Sequence, residues 1–222
     1  MQSFYANNSN SQLASKFGLP NYTRGEEILN AVTHGIGIVF SVFALIFLLI
    51  HYPKNFRNSF SISVYGITLL VLYTISTLYH SFKISKIKSN FRKLDHCSIF
   101  LLIAGTYTPL CMLFIKGIES TIVLISVWVA ALIGIILNSI DVNRFSKFSL
   151  LCYIFMGWSV VFIAKPAMIG LSSWQLTLLL IGGVFYTLGA VIYVLGKKVR
   201  YMHSLWHLFV LGGSISHFMV LV

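Results

Sequence analysis

A chain of 222 residues that is 57% hydrophobic and only 9% charged, with a formal net charge of +11, lacks the polar surface of a soluble domain. Its apolar residues fall in blocks of about twenty, the length a helix needs to cross a bilayer. So little chain remains between the blocks that a soluble catalytic domain or a nucleic-acid-binding domain is excluded, and any chemistry belongs inside the bundle or at its rim.

Residues 2–15, QSFYANNSNSQLAS, are rich in Asn and Ser and read as disordered. The whole stretch 1–23 is expected as a disordered N-terminal tail ahead of a membrane domain at 24–222. Residues 24–34, RGEEILNAVTH, read as a short amphipathic helix with Glu26 and Glu27 near its start, where the helix dipole favours acids. Seven spans are predicted at 31–50, 60–80, 94–114, 119–138, 146–165, 172–194 and 203–222. The fold class is therefore all-α, a polytopic seven-transmembrane helix bundle. Gly35 and Gly37 suit close helix packing better than nucleotide binding, since a third glycine and a preceding strand are missing. In the third span, Pro109 removes a backbone donor and predicts a kink, with Thr106 and Thr108 at hand for the freed carbonyls.

The lysines and arginines give the orientation. With the N-terminus inside, the cytoplasmic segments hold Lys16, Arg24, Lys83, Lys86, Lys88, Arg92, Lys93, Arg144, Lys147, Lys197, Lys198 and Arg200. The outside segments hold Lys54, Arg57, Lys116 and Lys165. The positive-inside rule then predicts an N-terminus in the cytoplasm and a C-terminus outside, in the cell (plasma) membrane. No cleavable signal peptide is expected, because residues 1–30 are polar. Cys97, Cys111 and Cys152 all fall inside spans and read as buried thiols.

Ionisable residues inside spans mark function by default. The second span ends in STLYH, with Ser76 and His80 four residues apart. The third begins with KLDH, placing Asp95 and His96 at the same end, and the seventh begins with HSLWH, His203 to His207. The topology brings all three segments to one depth on one side. Residues four apart share a helix face, so His203 and His207 can grip one metal ion, with His80 as a third nitrogen from a neighbouring helix. Three neutral imidazoles and an open position form the arrangement of a catalytic zinc site, in which the metal lowers a water pKa to roughly 7. Asp95 then suits a general base and Ser76 a group that orients the water or a substrate carbonyl.

Plainer readings stand beside these. Asp95 also fits a helix N-terminus stabilised by the dipole, and His203 and His207 also fit interfacial rings reaching headgroups. His217 is rotated away and lies about 15 Å further along the helix than His207, too far to share its metal. His34 suits packing or support of the ligands, His96 points away from Asp95, and His51 falls in an outer loop. Trp206 reads as an interfacial anchor.

The segments EEILNAVTHGIG (26–37), STLYHSF (76–82), KLDHCSIFLLIAGTYTP (93–109) and HSLWHLFVLGGSISHF (203–218) together resemble the bacterial hemolysin III family. That family belongs with the progestin and adiponectin receptors and is distantly similar to alkaline ceramidases. The resemblance spans nearly the whole chain from residue 24 and implies a seven-helix bundle with a zinc ion near the cytoplasmic face. It implies His80, His203 and His207 as ligands, Asp95 as the aspartate that holds the zinc-bound water, and Ser76 as the serine of the Ser-x-x-x-His motif. Two activities follow as expectations: a zinc-dependent hydrolase of a lipid amide or ester acting in lipid homeostasis, or a pore-forming cytolysin or receptor-like protein with a structural zinc. Haem ligation suits the i, i+4 histidine pair less well than one small metal ion. Membrane lipids are the expected substrate or ligand.

Overall fold

The computed structural model describes residues 11–196 and 199–222. Its helices from residue 24 onward are α1 (Arg24–His51), α2 (Phe56–Ser81), α3 (Lys86–Pro109), α4 (Ile118–Asp141), α5 (Ser146–Gly157), α6 (Ala164–Gly170), α7 (Ser173–Leu195) and α8 (Met202–Val220). A π-helical turn, Leu110–Phe114, extends α3, and a 3-10 segment, Trp158–Ile163, joins α5 to α6.

Among the described residues, six units are long and apolar enough to cross a membrane: α1, α2, α3 with its π-turn, α4, the α5–α6 unit and α7. This is a polytopic helical membrane protein. The seventh expected span, α8, is a helix of 19 residues. His203, His207 and His217 dilute its hydropathy on the inward face, while Leu208, Ile215 and Met219 face outward. The helices also outrun their apolar blocks. The amphipathic segment at 24–34 is continuous with the first span, and α1 opens on a capping box in which Thr23 Oγ1 accepts from the Glu26 N–H while the Glu26 carboxylate accepts from the Thr23 N–H.

The outward faces carry Val39 and Ile50 of α1, Ile136 and Ile140 of α4, and Phe155, Phe162 and Ile169 of the α5–α6 unit, all exposed. An apolar belt of this extent is matched to hydrocarbon, where helices satisfy their own backbone hydrogen bonds. Inside, one core is built from α3, α4, the α5–α6 unit and α7 around Phe100, Tyr107 and Ile163. A second is built from α1, α2, α3 and α8 around Leu48, Leu69 and Tyr73. A buried serine ties three helices together: Ser214 Oγ of α8 accepts from the Tyr73 hydroxyl of α2 at 2.8 Å and is 2.9 Å from the Tyr186 hydroxyl of α7.

Both intra-span breaks follow from proline. Pro109 cannot donate to the Gly105 carbonyl, and the helix widens into the π-turn that follows. Thr106 and Thr108 bond the carbonyls of Leu102 and Ala104, just before the freed one, at 2.8 and 2.9 Å. Pro166 likewise frees the Phe162 carbonyl, and the 3-10 segment lies just N-terminal to it. The Tyr107 hydroxyl spans that break, donating to the Gly157 carbonyl at 2.9 Å and accepting from the Val160 N–H at 2.8 Å.

Of the tail expected at 1–23, residues 1–10 lie outside the described residues. Residues 11–16 are helical, and Ala14 and Leu19 bury against Tyr79 of α2. That half of the tail is folded onto the bundle. Its polar residues had signalled disorder, but the small apolar set Ala14, Phe17 and Leu19 is enough to dock it.

Candidate metal centre

One end of the bundle gathers the start of α1, the end of α2, the start of α3 and the start of α8. His80 sits in the last turn of α2, and His203 and His207 lie one turn apart near the start of α8. Their ligand atoms all lie within 4.8 Å of one another. His80 and His207 are buried, and Nε2 of all three rings is buried with no hydrogen-bond partner among the described residues.

The other ring nitrogen explains why Nε2 is left bare. His80 Nδ1 is 2.7 Å from Glu27 Oε2, and a carboxylate oxygen accepts, so Nδ1 carries the proton. His207 Nδ1 is 3.2 Å from the Asn30 carbonyl oxygen and 3.2 Å from Thr33 Oγ1. Thr33 spends its own proton on the carbonyls of Leu29 and Asn30. Hydrogen-bonding Nδ1 to a carboxylate or backbone carbonyl fixes the tautomer that presents Nε2 to a metal. Three bare, convergent imidazole nitrogens suit a small borderline cation such as zinc.

The support comes from one face of α1. Glu27 is also paired with Lys88, whose Nζ lies 2.8 Å from Oε1. Lys88 is 1% exposed and further donates to the carbonyls of Tyr79 and Phe82 at 2.9 and 3.0 Å, capping the end of α2. The Asn30 side-chain oxygen accepts from the Ser204 hydroxyl of α8. Glu26 Oε1 accepts from the Tyr201 N–H at 3.0 Å, holding the residue that starts α8. Tyr201 has φ of 63°, the left-handed region that a tyrosine adopts only when held there. Tyr22, from the segment before α1, stacks on His203 with ring centroids 5.1 Å apart and covers the centre from outside. Burial is the main cause that pushes its phenol above the ordinary range, with Tyr193 and Glu27 adding to it.

Asp95 is buried, and because α3 begins at Lys86 it lies more than two turns inside the helix. The helix-terminus reading of this acid is thereby removed. The Ser76 hydroxyl interacts with its carboxyl, yet Ser76 Oγ forms no well-aligned hydrogen bond with the described residues. Beyond Asp95 a cavity of about 140 Å³ runs between α3, α5, α7 and α8, lined at this end by His34, Asp95 and Trp206 and at the far end by Leu179 and His217. Its walls are mostly apolar.

The sequence-derived residues are thus together: His80, His203 and His207 form the cluster, with Ser76 and Asp95 meeting beside it. His34 stacks on His207 at 3.6 Å and 15°, and meets Tyr73 edge-on. Trp206 is not an outer anchor but packs on His203 at 4.9 Å and walls the cavity. His51 ends α1 rather than sitting in a loop, and stacks on Phe47 at 5.5 Å. Sequence reading missed Glu27, Asn30, Thr33 and Lys88. Glu27, Asn30 and His34 recur at helical spacing, a polar stripe on an otherwise apolar helix, and that stripe was the available signal.

A helical membrane protein with a buried three-histidine centre at one end is the class that fold and site define. The chain belongs to the haemolysin-III-related family, whose family model matches residues 22–218. Hemolysin-3 of Bacillus cereus is 45% identical over 195 residues, covering 87% of this chain and 89% of that one. A hemolysin-3 homolog of Bacillus subtilis (strain 168) is 40% identical over 200 residues, covering 89% and 93%. More distantly, the chain is similar to the human monocyte to macrophage differentiation factor, at 28% identity over 165 residues, covering 70% of this chain and 66% of the other.

Proposed function

We propose that this chain is a zinc-dependent hydrolase of a membrane-lipid amide or ester, acting in lipid homeostasis of the cell membrane. It crosses the membrane seven times, with α8 as the seventh span, the N-terminus in the cytoplasm and the centre at the cytoplasmic end. The observation that carries this reading is the set of three convergent, buried, partnerless Nε2 atoms, with Asp95 and His34, which stacks on His207, lining one end of an apolar cavity.

His80, His203 and His207 hold the zinc ion, which when bound supplies Lewis acidity and an activated water. Glu27 and the Asn30 carbonyl keep the His80 and His207 rings in the binding tautomer. Asp95 takes the proton released as water adds to the lipid carbonyl, and returns it to the leaving nitrogen or oxygen. Ser76 orients the Asp95 carboxyl. The cavity receives the hydrocarbon chain and excludes bulk water, and Tyr22 closes the cytoplasmic side.

The test is metal analysis of the purified protein beside His80→Ala, His203→Ala and His207→Ala, with lipid mass spectrometry of cells carrying each form. Wild type is expected to hold zinc, each variant to lose most of it, and lipid species to shift with the loss. Zinc retained in all three variants overturns the centre. Zinc lost with no change in lipids overturns the hydrolase. The relatives' name supports a second reading, a pore-forming cytolysin with a structural zinc. The apolar cavity walls favour a lipid occupant over an aqueous path, and dye-loaded liposomes carrying the protein are expected to stay tight.

A further inference from the structure

The three histidines are sealed off. Nε2 of His80, His203 and His207 is fully buried, so an ion reaches these nitrogens only when a neighbouring part of the chain moves aside. The weakest side of the seal is at His203, which is half-buried where His80 and His207 are buried. His203 borders a polar pocket of about 280 Å³, whose walls are residues 20–23 on one side and Val199 and Arg200, just before α8, on the other. Tyr22 stands between that pocket and the centre, its ring centroid 5.1 Å from that of His203 and 5.8 Å from that of His80.

Tyr22 belongs to a segment held far more lightly than the helices beneath it. Ala14 and Leu19 bury against Tyr79, with Phe17, Ile84 and Phe91 partly buried around them. Side chains of α3 and of the turn after α4 hold its backbone: Ser89 Oγ donates to the Phe17 carbonyl at 3.0 Å, and Arg92 Nη1 and Asn143 Nδ2 donate to the Gly18 carbonyl at 2.7 and 3.4 Å. The bonds at Gly18 are exposed to solvent, and residues 19–23 have no regular structure. A surface element with one small apolar contact and exposed hydrogen bonds lies at the low end of local stability, and opens without the rest of the fold. Its turn depends on Gly18, which has φ of 63° and leaves a Cβ only 2.9 Å from Asn143 Nδ2.

We infer that residues 11–22 are a strap over the metal centre, with Tyr22 as its plug and Gly18 as its latch, and that the ion enters and leaves through the polar pocket only when the strap lifts. This rests on the three histidines holding a metal ion and is independent of any reaction carried out there. The strap supplies none of the three imidazoles. It therefore controls how fast the ion exchanges and not how tightly it is held: lifting it more often raises loading and release by the same factor.

The experiment uses the full-length purified protein loaded with zinc, and follows release to excess chelating dye, reloading of the metal-free form, and equilibrium affinity by competition. Gly18→Ala strains the latch and Leu19→Ser loosens the apolar anchor, and neither side chain touches the histidines. Both variants are expected to release and to reload zinc about 5- to 30-fold faster than wild type, the population shift set by an alanine forced into the left-handed region, with affinity unchanged. Tyr22→Ala is expected to speed exchange as well, and Tyr22→Phe to keep the wild-type rates because the ring is the plug. Wild-type rates in both Gly18→Ala and Leu19→Ser overturn the strap and leave the centre standing. Faster release with unchanged reloading, a loss of affinity, also overturns it, since the segment would then shape the ligands instead of gating them. A wild-type protein that binds no zinc removes the centre, and the strap's role with it.

Discussion

Glu27 is the residue on which the centre turns. It accepts from His80 at 2.7 Å and from the buried Lys88 at 2.8 Å, so one carboxylate orients a ligand and neutralises a cation that has nowhere to go. Glu27→Gln is expected to weaken zinc binding by about 10- to 100-fold, the usual effect of losing such a partner, measured by competition with a chelating dye. The same change leaves Lys88 charged and buried without its counter-ion, which costs about 3 kcal/mol of stability. Adding Lys88→Met to Glu27→Gln is expected to recover stability but not zinc affinity, a non-additivity that a double-mutant cycle reads directly. Equal zinc affinity in wild type and Glu27→Gln would show that Glu27 serves the fold alone. The three histidines were legible in sequence because histidines are rare in apolar spans. Glu27 was not, because an acid near a helix start already has a sufficient local reason to be there.

At the scale of elements, two glycines separated by one residue behave oppositely. A side chain at Gly37 would run into the Tyr73 ring of α2, whereas one at Gly35 meets nothing within 4 Å. Gly37→Ala is expected to destabilise by about 1 to 3 kcal/mol through overpacking. Gly35→Ala is expected to stabilise by roughly 0.5 to 1 kcal/mol, since glycine is the poorer helix former. Apparent melting temperatures in one detergent should rank Gly35→Ala above wild type and Gly37→Ala below it, and the reverse order would mean α1 is rotated from its described face. Sequence periodicity located the seven apolar stretches to within a few residues, began the third helix too late and missed the short helix at 11–16. The polar first turns of α3 are held by tertiary contact, so hydropathy did not extend that helix back to Lys86, whereas the start of α1 was read as an amphipathic helix and only its continuity with the span was not. The 3-10 break at Trp158–Ile163 was also out of reach, although Pro166 was in plain view. A proline says that a carbonyl is freed, and only the neighbouring Tyr107 decides how the chain accommodates it.

For the whole molecule, the proposed cytoplasmic placement of the centre is open to direct measurement. In a background with Cys97, Cys111 and Cys152 replaced, a membrane-impermeant maleimide on intact cells is expected to label Lys54→Cys and Lys116→Cys. Lys83→Cys and Lys147→Cys should be labelled only after permeabilisation. The opposite pattern would invert the topology and move the centre outside. In the proposed reading one zinc ion joins α2 and α8, with α1 held to it through Glu27 and Asn30, so chelation is expected to lower the melting temperature of wild type and to leave His207→Ala unchanged. A fall of equal size in both would assign the stabilisation to a different metal site.

The sequence by itself determined that the chain is a helical membrane protein, which family it belongs to, and which three histidines lie at one depth. Composition, span length and residue type carry that information locally, because a bilayer punishes every exception within a single helix. Only the tertiary structure decided which ring nitrogen is bare, that Glu27 and Lys88 stand behind His80, that Asp95 is buried well inside α3, and that His217 faces a shared cavity. Those are properties of side-chain direction and of contacts between helices far apart in the chain. A one-dimensional pattern of polar and apolar residues records neither.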